Sequence, residues 1–434
     1  MLNKLKKFAR EHKNNFFIKT IYSVKHLLNS ISSPFKDYAA IKRIKKVVQK
    51  SKITDAASNI RILFIVIDPN TWNKSKAVYE EMLKEDKIDL SMVCVPSIND
   101  VDKNTTYEFF SSLGYNCIDA KLKNGDWFDI QTLKPHYIFY TEPYNNYLPD
   151  KYKSFITASY AKICIVTYGM TIAREFLKIR PRDFYRDVYI CYANNKDELS
   201  YNINQFKRNH KRKLQFTKFF GFVAFEELEN SKMLSSRSWD FSRNNFRVIW
   251  TPRWTLDSKT GGSNFFKYKD FLIDFAKKNK YMDFLFRPHP MALKNFVQNG
   301  LMTQKEVLEF QNICLNENNL NLDDEKDYSS TFWGSDVLIS DVSSIVVEYF
   351  FTGKPIIFCK NKDVSMQFLP FFQKILEVCY VVENIDELDS VVRKLYAGED
   401  CLKDKRKIAF QEIFGENATD VARSIVNDII NDFA

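Results

Sequence analysis

No stretch of 18 apolar residues occurs anywhere in the chain, so no segment reads as a helix able to cross a bilayer. The basic first residues are not followed by the long apolar core that marks a secretory signal, and a cytoplasmic working compartment is expected. The eight cysteines form no CxxC pair. Cys94, Cys164 and Cys359 fall inside apolar runs that read as strands, where a thiol packs as a small hydrophobe. Neither a disulfide framework nor a zinc cluster is indicated. Internal repeats and low-complexity tracts are also missing. Excess positive charge is absent from most of the chain, although its net charge is +10. The first 52 residues hold fourteen basic side chains against Glu11 and Asp37, a net +12, which leaves −2 for everything that follows. A duplex-binding surface in the folded body would need a concentrated basic patch, so nucleic acid is not an expected partner.

What the chain does have is 434 residues of ordinary globular composition, enough for two domains and an appendage. Phe17, Ile21, Val24, Leu28 and Ile31 form one apolar stripe at helical spacing, and Ser32-Ser33-Pro34 interrupts it. A second stripe, Ile41, Ile44 and Val48, is surrounded by Lys42, Arg43, Lys45 and Lys46. Two readings stand: a pair of helices packing on the first domain, or an in-plane anchor at an anionic membrane surface.

From residue 61 short apolar runs alternate with helical stretches. Strands are expected at Ile62–Ile67, Leu90–Val95, Tyr137–Tyr140 and Ile163–Thr167, with helices at 74–85 and 103–113. A polar stretch over 194–215 reads as a connection. A second series follows at Arg247–Thr251, Asp283–Arg287, Leu320–Leu322, Asp336–Ser340, Pro355–Phe358 and Tyr380–Val382. This alternation predicts an α/β protein with two doubly wound, Rossmann-like domains facing a cleft at the carboxyl ends of their strands. The expected divisions are a basic helical segment 1–58, a first domain 59–215, a second domain 216–410 and a C-terminal helix 411–434.

Three polar clusters follow strands of the second series. Asp341-Val-Ser343-Ser344 places two hydroxyls and free backbone N–H groups where a helix should open at Ser343 and run to Gly353, a suitable place for an anion. Glu348, one turn beyond Ser344, is suited to a ribose diol. Local capping explains Ser343 equally well. Arg287-Pro288-His289-Pro290 sets a guanidinium for a bidentate phosphate grip beside an imidazole able to protonate a leaving oxygen. Thr251-Pro252-Arg253-Trp254-Thr255 adds hydroxyls and a second guanidinium at another strand end. Asp323-Asp324-Glu325 reads as an acidic loop on which nothing converges.

The order Thr-Pro-x-x, Arg-Pro-His-Pro, then Ser-Asp-x-Ser-Ser with an acid four residues later and Gly353-Lys354-Pro355-Ile356, resembles the CDP-glycerol glycerophosphotransferases. The resemblance is specific over about 245–360 and has weak support at Phe414-Gly415-Glu416-Asn417-Ala418. It implies a GT-B fold, peripheral membrane association, chemistry without a metal or other cofactor, and synthesis of teichoic acid or a related capsular polymer. It assigns the second-half histidine to His289, the phosphate-binding serines to Ser343 and Ser344, and the ribose-contacting acid to Glu348. The implied partners are CDP-glycerol or a related activated donor and a polymer or lipid-linked acceptor. The family's first half usually carries Trp-His-Gly after a strand. Here the matching position is Thr167-Tyr168-Gly169. Either Tyr168 contacts the acceptor without acting as base, or Glu142 in Thr141-Glu142-Pro143-Tyr144 takes that role. His136, which precedes its strand, reads as structural. Other readings are a sugar transferase using a CMP- or UDP-sugar, a scaffold without activity, and a nucleotide-sugar epimerase of the same fold.

Overall fold

The computed structural model describes residues 16–51, 59–96, 104–234, 239, 245–257, 261–416 and 418–434, with side chains described from residue 33. Two parallel sheets organise the chain. The first is built from β1 (Ile60–Val66), β2 (Ile88–Cys94), β3 (Cys117–Asp119), β4 (Tyr137–Tyr140), β5 (Lys162–Val166), β6 (Ile190–Tyr192) and β7 (Phe216–Lys218), in the order β3-β2-β1-β4-β5-β6-β7. The second comprises β8 (Phe246–Thr251), β9 (Met282–Phe286), β10 (Leu320–Leu322), β11 (Val337–Ser340), β12 (Ile356–Cys359) and β13 (Tyr380–Val382), in the order β10-β9-β8-β11-β12-β13. Every strand pairing within the two sheets is parallel. Central strands such as Tyr137–Tyr140 and Ile356–Cys359 are buried at every residue, as strands covered by helices on both faces must be. In both sheets the order reverses beside the first strand, between β1 and β4 and between β8 and β11. Loops leaving adjacent strands there diverge to opposite faces and open a crevice at the carboxyl ends.

All six expected strands of the second half are present, whereas the first half contains three more than expected: β3, β6 and β7. Each is three residues long, too short to show a period. The stretch 194–215 is not simply a connection, since it forms helices Lys196–Gln205 and Lys207–Lys211. The strand that follows pairs with β6, so the first domain continues past the expected boundary at 216.

The basic segment departs from expectation in two ways. Ser32-Ser33-Pro34 does not interrupt it: one helix runs from Phe16 to Ser51 with Pro34 inside. A proline removes its own N–H bond and usually bends a helix, but the turns beyond Pro34 are held from outside. Ala40, Ile44 and Val47 are buried, Ile44 within the first-domain core. Arg43 pairs with the buried Asp187, and Asp37 accepts ion pairs from Arg182 and Arg186. Residues 37–48 therefore belong to the first domain, not to a separate 1–58 segment. The stripe Phe17 to Ile31 lies outside the described side chains.

The chain end returns to the first sheet as well. Helix Val421–Phe433 buries Val421, Ala422, Ile425, Val426 and Ile429, an apolar face at helical spacing, in the first-domain core. Its Asp432 accepts from Lys162, Tyr137 and Tyr189, and Asp428 from Lys218 and Tyr192. Where the outgoing chain passes this helix stands Gly221, with φ +137°. A Cβ there would lie 2.5 Å from Val421 Cγ2, which only glycine avoids.

Candidate functional site

Both reversal points carry polar loops, and two segments tie them together. The turn after β1, Pro69–Lys74, starts at Asp68, whose side chain accepts from Asn70 N at 2.9 Å. It delivers Lys74 of the first domain to Glu348 and Tyr328 of the second. The segment after β5 crosses likewise: Ala173 forms an antiparallel bridge with Phe368, and Leu369 N donates to Ile172 O at 2.9 Å.

On the second domain, Asp341 is buried and accepts from Arg253 N (2.6 Å) and Asn264 N (2.9 Å), so it staples two loops together. Burial outweighs those bonds and raises its pKa to about 6. Thr251 Oγ1 donates to Ser340 Oγ at 2.9 Å, joining β8 to β11. These two predicted donor ligands thus hold the backbone that carries the others. The Arg253 side chain donates from Nε to Thr255 Oγ1 (2.8 Å) and from Nη1 to Val342 O (2.9 Å), and stands 5.1 Å from the Phe176 ring of the crossing segment. Arg287 pairs with Asp323 Oδ2 at 2.6 Å and donates to Glu325 O at 2.9 Å. The acidic loop after β10 is therefore the counter-ion of Arg287, which corrects the expectation that nothing converges on it.

His289 stacks on Trp254 with ring centroids 5.4 Å apart, and its Nδ1 accepts from Met291 N at 3.1 Å. A neutral ring then carries its proton on Nε2. Desolvation, then the guanidinium groups of Arg253 and Arg287, lower its pKa to about 4. The residue is exposed, so water screens part of that shift, but the direction leaves a neutral imidazole at pH 7. Helix Ile345–Phe350 is shorter than expected and opens one residue after Ser344. Ser343 Oγ accepts a long bond from Ile345 N (3.3 Å), and Ser344 makes no side-chain cap. Glu348 is only 2% exposed and is engaged by Lys74 and Tyr328.

On the first domain, Glu142 follows β4, is 5% exposed, and accepts from Thr71 Oγ1 at 3.3 Å. Burial, with Asp68 nearby, raises its pKa to about 7, the range a general base needs. Tyr168 shares a hydroxyl–hydroxyl bond of 2.9 Å with Tyr144. Asn194 fixes its turn by donating to Thr167 O and Gly169 O. Burial raises the Tyr168 pKa well above its ordinary value, so the phenol remains a donor and is unsuited to act as a base. His136 accepts from Arg61 N at 3.0 Å and packs on Phe433, away from these loops. Among the described residues no group of three or more His, Cys, Asp or Glu side chains is arranged to hold a metal ion.

Sequence reasoning missed Lys74, Tyr328 and the role of Asp323. Asp323 had a signal, since it follows β10 as the other clusters follow their strands. Lys74 was hidden by a helix expected to begin there, and Tyr328 had no signal.

Two Rossmann-like sheets whose crevices face one another define a GT-B-like fold. Within it, residues 231–429 match the family described as CDP-Glycerol:Poly(glycerophosphate) glycerophosphotransferase, the family that the sequence motifs resemble. The wall teichoic acid polymerase TagF, in a variant soaked with CDPG, is similar in structure: TM-score 0.55, 14% identity, 96% of this chain and 98% of that one covered. UDP-GlcNAc 2-epimerase from Neisseria meningitidis, bound to UDP-GlcNAc, gives TM-score 0.55 at 12% identity over 86% and 100% of the two chains. S. aureus MnaA with UDP gives 0.53 at 14% identity over 85% and 96%. At these identities the likeness concerns the fold alone. No curated protein matches the chain by sequence.

Proposed function

We propose that the chain transfers glycerol phosphate, or a related polyol phosphate, from a CDP-linked donor to an acceptor hydroxyl during synthesis of a cell-surface polymer such as teichoic acid or capsule. The observation that carries this reading is the coincidence of the family's three motifs with one reversal point, opposite a buried carboxylate of raised pKa. The acceptor oxygen attacks the β-phosphorus while the bond to the bridging oxygen breaks, and that oxygen leaves with CMP. Glu142 takes the acceptor's proton, and His289 gives one to the departing phosphate. A bound diphosphate raises the low His289 pKa, so that the imidazole can supply that proton. Arg253, Arg287 and the hydroxyls of Ser343 and Ser344 meet the developing charge, with Thr251 and Asp341 holding their loops. Tyr168 donates to the acceptor, and Glu348 receives the ribose diol. No metal or other cofactor has a part in this scheme.

The acceptor is a polymer or lipid-linked chain, so the protein works in the cytoplasm at the inner membrane face. No helix among the described residues is long and apolar enough to cross a membrane. Peripheral docking on anionic lipid is supported by Phe35 and Tyr38, 74% and 57% exposed, beside Lys36 and Lys42 and close to Lys45 and Lys46.

The test is incubation with CDP-glycerol, other CDP-polyols, CMP-sugars and UDP-sugars, with and without chelator. Chelator-insensitive CMP release from a CDP-polyol is expected. Turnover of only a CMP- or UDP-sugar would replace this reading with a sugar transferase or an epimerase.

A further inference from the structure

Glu348 lies on the second domain, yet its partners come from both. The Lys74 ammonium, 6% exposed and carried by the turn after β1, bonds Glu348 Oε2 and the Tyr328 hydroxyl. Tyr328 donates to that same oxygen, and its pKa, raised well above the ordinary value by burial, keeps it a donor. Both bonds thus converge on Oε2, and Oε1 takes part in neither. The Tyr328 ring also lies 4.6 Å from the Arg287 guanidinium, which links the cluster to the loop bearing His289.

A buried ion pair is costly to desolvate, and well-packed apolar residues are often as stable in its place. Stability alone is therefore a weak reason for Lys74 to be there. Two donors on one carboxylate oxygen do something an apolar pair does not: they fix the side chain's rotamer, so the other oxygen has one direction. Glu348 sits one turn beyond Ser344, the hydroxyl proposed to meet the donor phosphates, where a nucleoside's sugar would lie.

We propose that Lys74 is a positioning residue of the donor site, holding Glu348 through Oε2 so that Oε1 accepts from the 2′-hydroxyl of the donor ribose. The nucleotide half of the site is then complete only when the first domain contributes Lys74, and ribose recognition reports on the seating of the two domains. This inference rests on the nucleotide-donor reading above.

Calorimetry of the full chain with CMP and with 2′-deoxy-CMP tests it. A hydrogen bond to a carboxylate gives an expected preference for CMP of roughly 10- to 100-fold in the wild type. Lys74→Met and Glu348→Gln should each bring the ratio to within about threefold, Tyr328→Phe should lower it partly, and Lys74→Arg should restore most of it. A merely structural Lys74 would change stability or both affinities together and leave the ratio unchanged. Folded Lys74→Met with the wild-type ratio overturns the proposal. If Lys74→Met does not fold, an unchanged ratio in both Tyr328→Phe and Glu348→Gln overturns it. Wild-type protein that binds both nucleotides equally overturns this inference alone, whereas wild-type protein that binds neither overturns the donor reading itself.

Discussion

The two facing crevices differ in how their charges are committed. On the second domain nearly every ionic group has a fixed partner: Arg287 with Asp323, Asp341 with two backbone amides, Glu348 with Lys74. On the first domain Glu142 has one hydroxyl partner at 3.3 Å and a like-charged neighbour, Asp68, among tyrosines. The first arrangement suits an invariant ligand whose phosphates must be met in fixed geometry, and the preorganisation lowers the cost of binding. The second leaves a carboxylate poised to exchange a proton, at some cost to stability.

The largest effects should come from the groups assigned to proton transfer. His289→Ala is expected to lower CMP release by roughly 10²–10⁴-fold with an unchanged circular dichroism spectrum. Near-wild-type turnover in that folded variant would make the histidine a structural partner of Trp254. Glu142→Gln should cost a similar factor and abolish the rise in rate as pH climbs through about 7, where the wild-type carboxyl ionises. It should also separate the two crevices by stability. Folding raises the Glu142 pKa from 4.5 to about 7, so its stabilising contribution is complete below about pH 4.5 and lost as pH rises through 7. Glu142→Gln should therefore melt higher than wild type at pH 8, with that advantage shrinking toward pH 5. Identical pH profiles of melting would remove the case for a poised carboxylate.

An intermediate effect is expected on the donor side. Ser343→Ala with Ser344→Ala should weaken CMP binding by at least about 10- to 100-fold, the value of one charge-assisted bond at roughly 1.5–3 kcal/mol. The melting temperature should move little, because the only cap these serines provide is the long Ser343 contact. Unchanged affinity with lowered melting would favour capping alone.

The smallest effect concerns the basic helix. Removing residues 1–32 should leave the fold intact and weaken sedimentation with anionic liposomes a few-fold at about 0.1 M salt. The difference should fade toward 1 M as the Debye length falls from about 10 to about 3 Å. Removing residues 1–52 should in addition lower stability, because Ile44, Val47 and the Arg43–Asp187 pair go with it. Equal liposome binding by the full chain and both truncations would end the anchor idea.

Motifs were legible where strand, loop and ligand group are neighbours in the chain. Arg287-Pro288-His289-Pro290 and Asp341-Val-Ser343-Ser344 announce themselves because a strand's carboxyl end and the polar loop leaving it are consecutive residues. The six strands of the second half were legible for the same local reason. Of the three-residue strands, β10 and β13 were legible, whereas β3, β6 and β7 were not and are recognised only by their neighbours' hydrogen bonds. Pro34 was misread because the contacts that hold the helix beyond it come from Asp187, Arg182 and Arg186, far along the chain.

By itself, then, the sequence determined the doubly wound class, the strand-end clusters of the second domain and the confinement of the net positive charge to the first 52 residues. These follow from local periodicity and composition. Tertiary structure alone decided that Glu348 faces Lys74, that Asp323 balances Arg287, and that Glu142 titrates near 7. Pairing and desolvation depend on which distant segments share a low-dielectric space, and residue spacing along a chain carries no record of that.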